Sequence, residues 1–86
     1  MTYRVMWIQS ALDDLALLWI TADSATRANI NQAALHIDQQ LSTNPFAESE
    51  SRDKGEWVFF APPLGVLLEI DSANHVVWVL SVWCFR

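Results

Sequence analysis

The sequence predicts an α+β fold in which a helical hairpin packs on a mostly antiparallel sheet, in the order β-α-α-β-β-β. Three observations predict this fold. Apolar residues recur at helical spacing in two neighbouring segments of the first half of the chain. Three segments rich in valine, leucine and aromatic residues follow in the second half, separated by short turns. A chain of 86 residues has room for one domain, which we place over residues 1–86.

The first half of the chain contains a strand and two helices. Residues 3–8 (YRVMWI) are rich in β-forming types and predict the first strand. Ser10 is the predicted N-cap of a first helix that ends near Thr21. A second helix begins at Asp23 or the serine after it and ends before Pro45, because the residue preceding a proline is disfavoured from helical geometry. Its apolar stripe consists of Ile30, Ala33, Ala34, Ile37 and Leu41. The short link makes the two helices a hairpin.

The second half of the chain predicts three strands after a polar loop. The loop covers residues 46–56, and the strands cover residues 57–61, 64–70 and 76–85. The connections between the strands are two and about five residues long, which is typical of antiparallel hairpins. The sheet is therefore predicted to be mostly antiparallel.

The last strand is predicted to be apolar on both faces. Strict alternation along residues 76–85 places Trp78 and Trp83 on opposite faces, with Ser81 the only polar side chain. Two helices can cover only one face of the sheet, so the other face is expected to bind a partner. The predicted partner-binding residues are Trp57, Phe59, Trp78, Trp83 and Phe85. About half of the bulky aromatic residues in these strands are expected in the core instead.

Composition narrows the classes of function. The formal net charge is −5, and the five Lys and Arg residues are scattered apart from the pair Arg52 and Lys54, which counts against nucleic acid as a dominant partner. Cys84 is the single cysteine, so no internal disulfide is expected. His36 and His75 have no second ligand at metal-binding spacing, so we expect no metal and no cofactor. The sequence shows neither a signal peptide nor a membrane-spanning run, which favours a cytoplasmic protein without a membrane partner.

The order and spacing of these elements resemble the RelE/ParE superfamily of bacterial toxins. The segment from Pro63 to Ile70 reads PLGVLLEI, close to the pattern of the penultimate strand in that family. Asn44 and Pro45 follow the second helix, and a polar loop carrying Arg52 comes next, as in the family. Leu68 stands where the family often has a tyrosine. The resemblance covers nearly the whole chain, through motifs that are individually weak.

The resemblance implies a toxin of a type II toxin–antitoxin system that a cognate antitoxin neutralises. RelE-like members cut messenger RNA on the ribosome, and ParE-like members poison DNA gyrase without being enzymes. The implied partners are therefore an antitoxin, and the ribosome with its mRNA or DNA gyrase as a target. A homodimer that pairs through the same apolar sheet face is a further partner hypothesis.

The RNA-cutting chemistry that the resemblance implies needs positive side chains near the scissile phosphate. One family arginine falls at Gly65, and another falls near Phe85, one position before Arg86. No tyrosine follows Arg86, so we expect the C-terminal tyrosine of the family to be missing. The candidate catalytic residues are Arg52, Lys54 and Arg86, and we expect an incomplete ribonuclease site. Three hypotheses remain: a toxin without full ribonuclease chemistry, a ribosome-dependent ribonuclease, and a non-toxic binding module of the same fold.

Overall fold

A computed structural model of the protein describes residues 2–47 and 49–85. In these residues the elements are β1 (Arg4–Trp7), α1 (Gln9–Thr21), α2 (Ser24–Thr43), β2 (Glu50–Ser51), β3 (Glu56–Ala61), β4 (Leu64–Asp71) and β5 (Val76–Cys84). A short 3-10 turn over Asp53–Gly55 precedes β3. The predicted order of elements is confirmed. The two-residue strand β2 is an addition, since it lies in the segment predicted as loop.

The strands of the described residues form one mixed sheet in the order β1-β5-β4-β3-β2. The pairs β2–β3, β3–β4 and β4–β5 are antiparallel, while β1 runs parallel to β5. Two parallel strands need a long crossover between them, and the chain between β1 and β5 includes the helical hairpin. The predicted α+β fold with a mostly antiparallel sheet is therefore confirmed.

The core lies between the helical hairpin and one face of the sheet. Helix α2 contributes four of the five residues of its predicted stripe, with Ile30, Ala33, Ile37 and Leu41 all buried, while Ala34 is only partly buried. The sheet contributes alternate residues of its central strands. Those that are fully enclosed include Phe59, Leu64, Val66, Leu68, Val77 and Val79. Burial of these side chains supplies most of the favourable free energy of folding.

The two helices begin in different ways. Of the two predicted starting residues of α2, Asp23 is the N-cap, because its Oδ1 accepts a hydrogen bond from the N–H of Thr26 at 2.8 Å. The prediction that Ser10 caps α1 is wrong, since Ser10 lies inside the helix. The N-cap position, just before the first helical residue, is occupied by Ile8. The Ser10 hydroxyl instead donates to the carbonyl of Leu80 at 3.4 Å. Neither helix combines the length and the hydropathy that crossing a membrane requires.

Arg27 fixes α2 to the end of α1. Its Nε donates to the carbonyl of Trp19 at 2.8 Å, and its NH2 donates to the carbonyl of Ile20 at 2.9 Å. These carbonyls belong to the last turn of α1, where the regular helical donors run out, although the N–H of Ala22 also donates to the carbonyl of Trp19 at 3.3 Å. The guanidinium also lies 4.4 Å from the centre of the Trp19 ring, at cation–π distance. The positive charge of Arg27 is therefore held at the C-terminal end of α1.

Candidate sheet-face interface

A β-bulge divides β5 and changes which side chains share a face. Leu67 of β4 pairs with Ser81, but the next residue, Leu68, pairs with Val79, so Leu80 has no residue opposite it. One extra residue reverses the alternation beyond that point. The prediction that Trp78 and Trp83 lie on opposite faces is therefore wrong. Both lie on the face that the helices leave uncovered.

This uncovered face of the sheet runs across four strands. By register it carries Arg4, Met6, Val58, Phe60, Gly65, Leu67, Glu69, Val76, Trp78 and Trp83. Phe60 is 41% exposed, and Met6 and Trp78 are each 37% exposed. Large apolar side chains in water at one surface are typical of interaction sites. The sequence-based expectation of a second apolar face agrees with this arrangement.

Three aromatic rings form a cluster at one end of the uncovered face. The ring of Phe60 meets Trp83 edge-on at 6.3 Å and Phe85 edge-on at 5.2 Å, measured between centroids. The Trp83 indole covers Gly65, where an added Cβ would fall 2.6 Å from Trp83 Cε2. Because Gly65 has no side chain, the indole can occupy the space above its Cα. Edge-to-face pairs of this kind stabilise one another and orient the rings.

The predicted partner-binding residues divide between the two faces. Trp78 and Trp83 lie on the uncovered face, and the ring of Phe85 joins them through Phe60. Phe59 is 1% exposed and stacks on His36 of α2, so it is a core residue and not part of an exposed surface. Trp57 also lies on the helix side, partly buried against the core. Both side chains follow the register of β3, which pairs them with buried residues of β4.

Sequence reasoning did not single out Phe60 and Met6, although both lie on the uncovered face. Phe60 follows the buried Phe59 in a regular strand, so the alternation of β3 was a signal that could have identified it. Met6 required knowledge that β1 pairs with β5 next to Trp78. That pairing joins residues more than 70 positions apart and leaves no local pattern.

The uncovered face carries more negative than positive charge. Its register positions and the adjoining ends of the strands hold Glu50, Glu56, Glu69 and Asp71. Glu56 lies directly opposite Glu69, and like charges in that position repel each other. In the described part of the chain, Arg4 is the basic residue at these register positions, and Arg52 forms an ion pair with Glu50 at the edge of the face. Such a surface disfavours RNA phosphates and favours a protein partner with basic side chains.

The turn that joins β4 and β5 is held by a carboxylate on the uncovered face. Both oxygens of Asp71 accept hydrogen bonds from Asn74, one from its side chain at 2.8 Å and one from its backbone at 3.1 Å. Both hydrogen bonds lower the pKa of Asp71 below its ordinary value, and the bond from the Asn74 side chain has the larger effect. Asp71 therefore keeps its negative charge beside the face.

The candidate catalytic residues are not gathered at the aromatic cluster. Arg52 is exposed and forms a 3.4 Å ion pair with Glu50, a contact that contributes little on a solvated surface. Lys54 is also exposed, in the left-handed region at φ 63°. Both precede the start of β3, whereas the end of β5 lies at the other end of that strand, about 17 Å away at 3.4 Å per residue. Arg86 lies outside the described residues. No group of three potential metal ligands occurs within residues 2–47 and 49–85.

A second apolar surface, the groove face, lies between the two helices on the side away from the sheet. It is defined by Leu12, Ala16, Trp19 and Ile20 of α1 with Ile30 and Ala34 of α2, around a groove of about 460 Å³. Ile20 is 64% exposed and Leu12 is 44% exposed. Helix α1 therefore presents apolar side chains to water as well as to the core.

Comparison with known proteins identifies the fold and no close relative. No protein-family model matches the sequence. A search among curated proteins finds no match either. Solved structures, in contrast, match over nearly the whole chain.

Three of these structures illustrate the match. A chain of the toxin–antitoxin complex RelBE2 from Mycobacterium tuberculosis has a TM-score of 0.75 and 21% identity, with all of both chains covered. A chain of the chromosomal ParDE system from P. aeruginosa has a TM-score of 0.71 and 13% identity, covering 99% of this chain and 98% of that one. The isolated RelE toxin of E. coli has a TM-score of 0.63 and 17% identity, covering 98% and 85%. The chain therefore has the fold that these RelE and ParE proteins share, as the sequence predicted.

Proposed function

We propose that this chain is the toxin component of a type II toxin–antitoxin system, and that its cognate antitoxin binds the uncovered face of the sheet. The observation that carries the proposal is the fold match over the full length of a chain from the RelBE2 toxin–antitoxin complex. The uncovered face supports it independently, because it leaves aromatic side chains in water that a bound protein would cover. One fold can have many activities, so the mode of action is argued from the side chains at the surface.

The uncovered face has the composition of a protein-binding surface. Tryptophan and other aromatic side chains are enriched among residues that dominate binding energy, and Phe60, Trp78 and Trp83 supply them here. The opposed pair of Glu56 and Glu69 adds a negative region that basic residues of the antitoxin would neutralise. We expect binding to weaken as salt concentration rises, because these charges are at the surface.

The same face argues against ribonuclease chemistry as the main activity. Cleavage of RNA needs cations around one phosphate, and Arg52 and Lys54 lie at the opposite end of β3 from the aromatic cluster. The position of one family arginine is Gly65, which the Trp83 ring covers. We therefore favour a toxin that acts by binding its target, as ParE-like toxins do with gyrase, over one that cuts mRNA on the ribosome.

A matched pair of variants tests the antitoxin surface. Phe60 and Phe46 are each 41% exposed and each touch two aromatic rings, but only Phe60 lies on the uncovered face. The binding protein to test is the product of any short reading frame found next to this gene, purified together with the chain. We expect Phe60→Ala to weaken binding about tenfold or more, and Phe46→Ala to leave it unchanged. Equal losses in both variants, or no binding by the wild type, would contradict the proposal.

Growth after induced expression separates the three hypotheses on activity. A toxin without ribonuclease chemistry arrests growth in the wild type and equally in the Arg52→Ala and Arg86→Ala variants. A ribonuclease loses the arrest in one or both variants. A non-toxic binding module leaves growth unchanged while still binding the antitoxin. Cellular mRNA sequenced at arrest gives a second measure, since new cleavage ends appear only with a ribonuclease.

A further inference from the structure

We infer that the chain forms a symmetric dimer in which α1 of each copy lies against the groove face of the other. The segment of α1 from Leu15 to Ala22 contains no charged residue. A helix that is apolar around its whole circumference is normally buried on all sides. Here the sheet covers one side, while Ile20 and Trp19 on the groove face remain 64% and 39% exposed.

The groove face has a spacing that suits packing against a copy of itself. Leu12, Ala16 and Ile20 are four residues apart and form one row along α1. If a twofold axis perpendicular to α1 passes beside Ala16, the two copies of α1 run antiparallel and Leu12 of each copy meets Ile20 of the other. The small alanine at the crossing point lets the helices approach closely, and rows spaced by four residues interdigitate in the commonest class of helix packing.

The charges at the two ends of α1 also favour an antiparallel copy. Asp13 lies in the N-terminal half of α1. The guanidinium of Arg27 is held at the C-terminal end by the carbonyls of Trp19 and Ile20. Antiparallel packing brings the Asp13 end of one copy beside the Arg27 end of the other, twice in the dimer. Opposite charges therefore face each other at both ends of the apolar row.

The size of the groove face sets the expected strength of the dimer. Helix α1 has 13 residues and is about 20 Å long, and two adjacent helices are about 20 Å across. Two such faces in contact would bury roughly 800 Å² in total, which is the size of a weak, transient interface. We therefore expect a dissociation constant on the order of 10 µM.

The dimer does not depend on the proposed antitoxin surface. The groove face and the uncovered face lie on opposite sides of the sheet, because the helical hairpin packs on one side only. A chain that bound no antitoxin could still dimerise. If both interactions occur, the complex contains two copies of this chain, one antitoxin-binding face on each side of the dimer.

Sedimentation velocity of the purified chain tests the inference with a matched control. The concentrations should run from about 5 to 200 µM, a range that includes the expected dissociation constant. Ile20 and Leu17 are 64% and 63% exposed on the same helix, but Leu17 does not line the groove. We expect the wild type and Leu17→Glu to shift from monomer to dimer over this range, and Ile20→Glu to stay monomeric. Circular dichroism confirms that each variant is folded. A monomeric wild type at all concentrations overturns the inference, as does equal dimerisation of the two glutamate variants.

Cross-linking tests the position of the twofold axis. In a Cys84→Ser background, which removes the native exposed cysteine, Ala16→Cys should form an intermolecular disulfide under mild oxidation because the two sulfurs meet at the axis. Leu17→Cys should cross-link far less. Similar yields in the two variants would place the contact elsewhere and overturn the inference. So would a wild type that stays monomeric while Ile20→Glu abolishes antitoxin binding, because the antitoxin then occupies the groove face.

Discussion

The carboxylate of Asp14 on α1 accepts a hydrogen bond from the backbone N–H of Val82 on β5, with Oδ2 and N 3.3 Å apart. This contact lies just after Leu80, the residue that bulges out of β5. One turn earlier in α1, the hydroxyl of Ser10 donates to the carbonyl of Leu80. Backbone groups that a bulge removes from the ladder need other partners. Helix α1 supplies two of them, and the bulge places Trp83 on the uncovered face.

Replacing Asp14 should therefore destabilise the protein. In Asp14→Ala the Val82 N–H loses its acceptor, and we expect a loss of about 1 kcal/mol in the free energy of unfolding. The matched control is Asp13→Ala, because Asp13 accepts only from the side chain of Gln9 on the surface. That variant should change stability by less than about 0.5 kcal/mol. Urea denaturation measures both values, and equal losses would show that the bulge does not depend on Asp14.

Gly65 should not tolerate a side chain while Trp83 covers it. A Cβ at this position meets three indole atoms at 2.6–2.8 Å, so Gly65→Ala must displace the ring. We expect a cost of about 1–3 kcal/mol in the free energy of unfolding. In a Trp83→Ala background the same change should cost much less, because nothing then occupies the space. A cost that does not depend on Trp83 would contradict this explanation.

Gly55, in contrast, is required because of its backbone conformation. An added Cβ there meets nothing within 4 Å, but φ is +76°, a conformation that residues with side chains avoid. Gly55→Ala should cost about 1 kcal/mol through backbone strain alone. Gly55→Asn should cost less, because asparagine enters the left-handed region more readily. Thermal unfolding of the two variants distinguishes backbone strain from steric contact.

Arg27 should be needed to hold the helical hairpin together. Arg27→Gln removes the charge and at least one of the two hydrogen bonds to the end of α1, as well as the contact with the Trp19 ring. We expect the free energy of unfolding to fall by about 1–2 kcal/mol. Arg27→Lys keeps the charge but not the forked geometry, so it should recover only part of the loss. Full recovery by lysine would show that charge alone matters.

Stability in acid should depend on Asp23. Its pKa is lowered from 3.8 because the backbone N–H of Thr26 donates to the carboxylate, with smaller effects from the Thr26 side chain and Arg27. Folding therefore favours the ionised form. The resulting stability is present above pH 3.8 and is lost as the pH falls below it.

The variant Asp23→Asn isolates this effect. Asparagine is an equally good N-cap, so stability at pH 6 should hardly change. The difference between the unfolding midpoints at pH 6 and pH 3 should become smaller than in the wild type, because one linked carboxylate is gone. Thermal unfolding at the two pH values measures this difference. An unchanged difference would mean that Asp23 does not contribute to the acid sensitivity.

Periodic burial made most of the fold predictable from the sequence. Four of the five predicted stripe residues of α2 are buried, since a helix packed on a sheet repeats its buried residues every three or four positions, and the fifth, Ala34, lines the groove face. The resemblance to the RelE/ParE toxins predicted the fold that the structural matches identify. The candidate surface was predicted in part, with Trp78 and Trp83 on the uncovered face, Phe85 in contact with Phe60 at its edge, and Trp57 and Phe59 on the other side.

The sequence by itself determined the order of helices and strands, because each depends on neighbours within a few positions. Only the tertiary structure decided which aromatic side chains share a face. The bulge at Leu80 is bonded to Ser10 and Asp14, which are about 70 positions away, so no local alternation of β5 could indicate it. The tertiary structure also decided how much of α1 is exposed, since one sheet can cover only one side of an apolar helix.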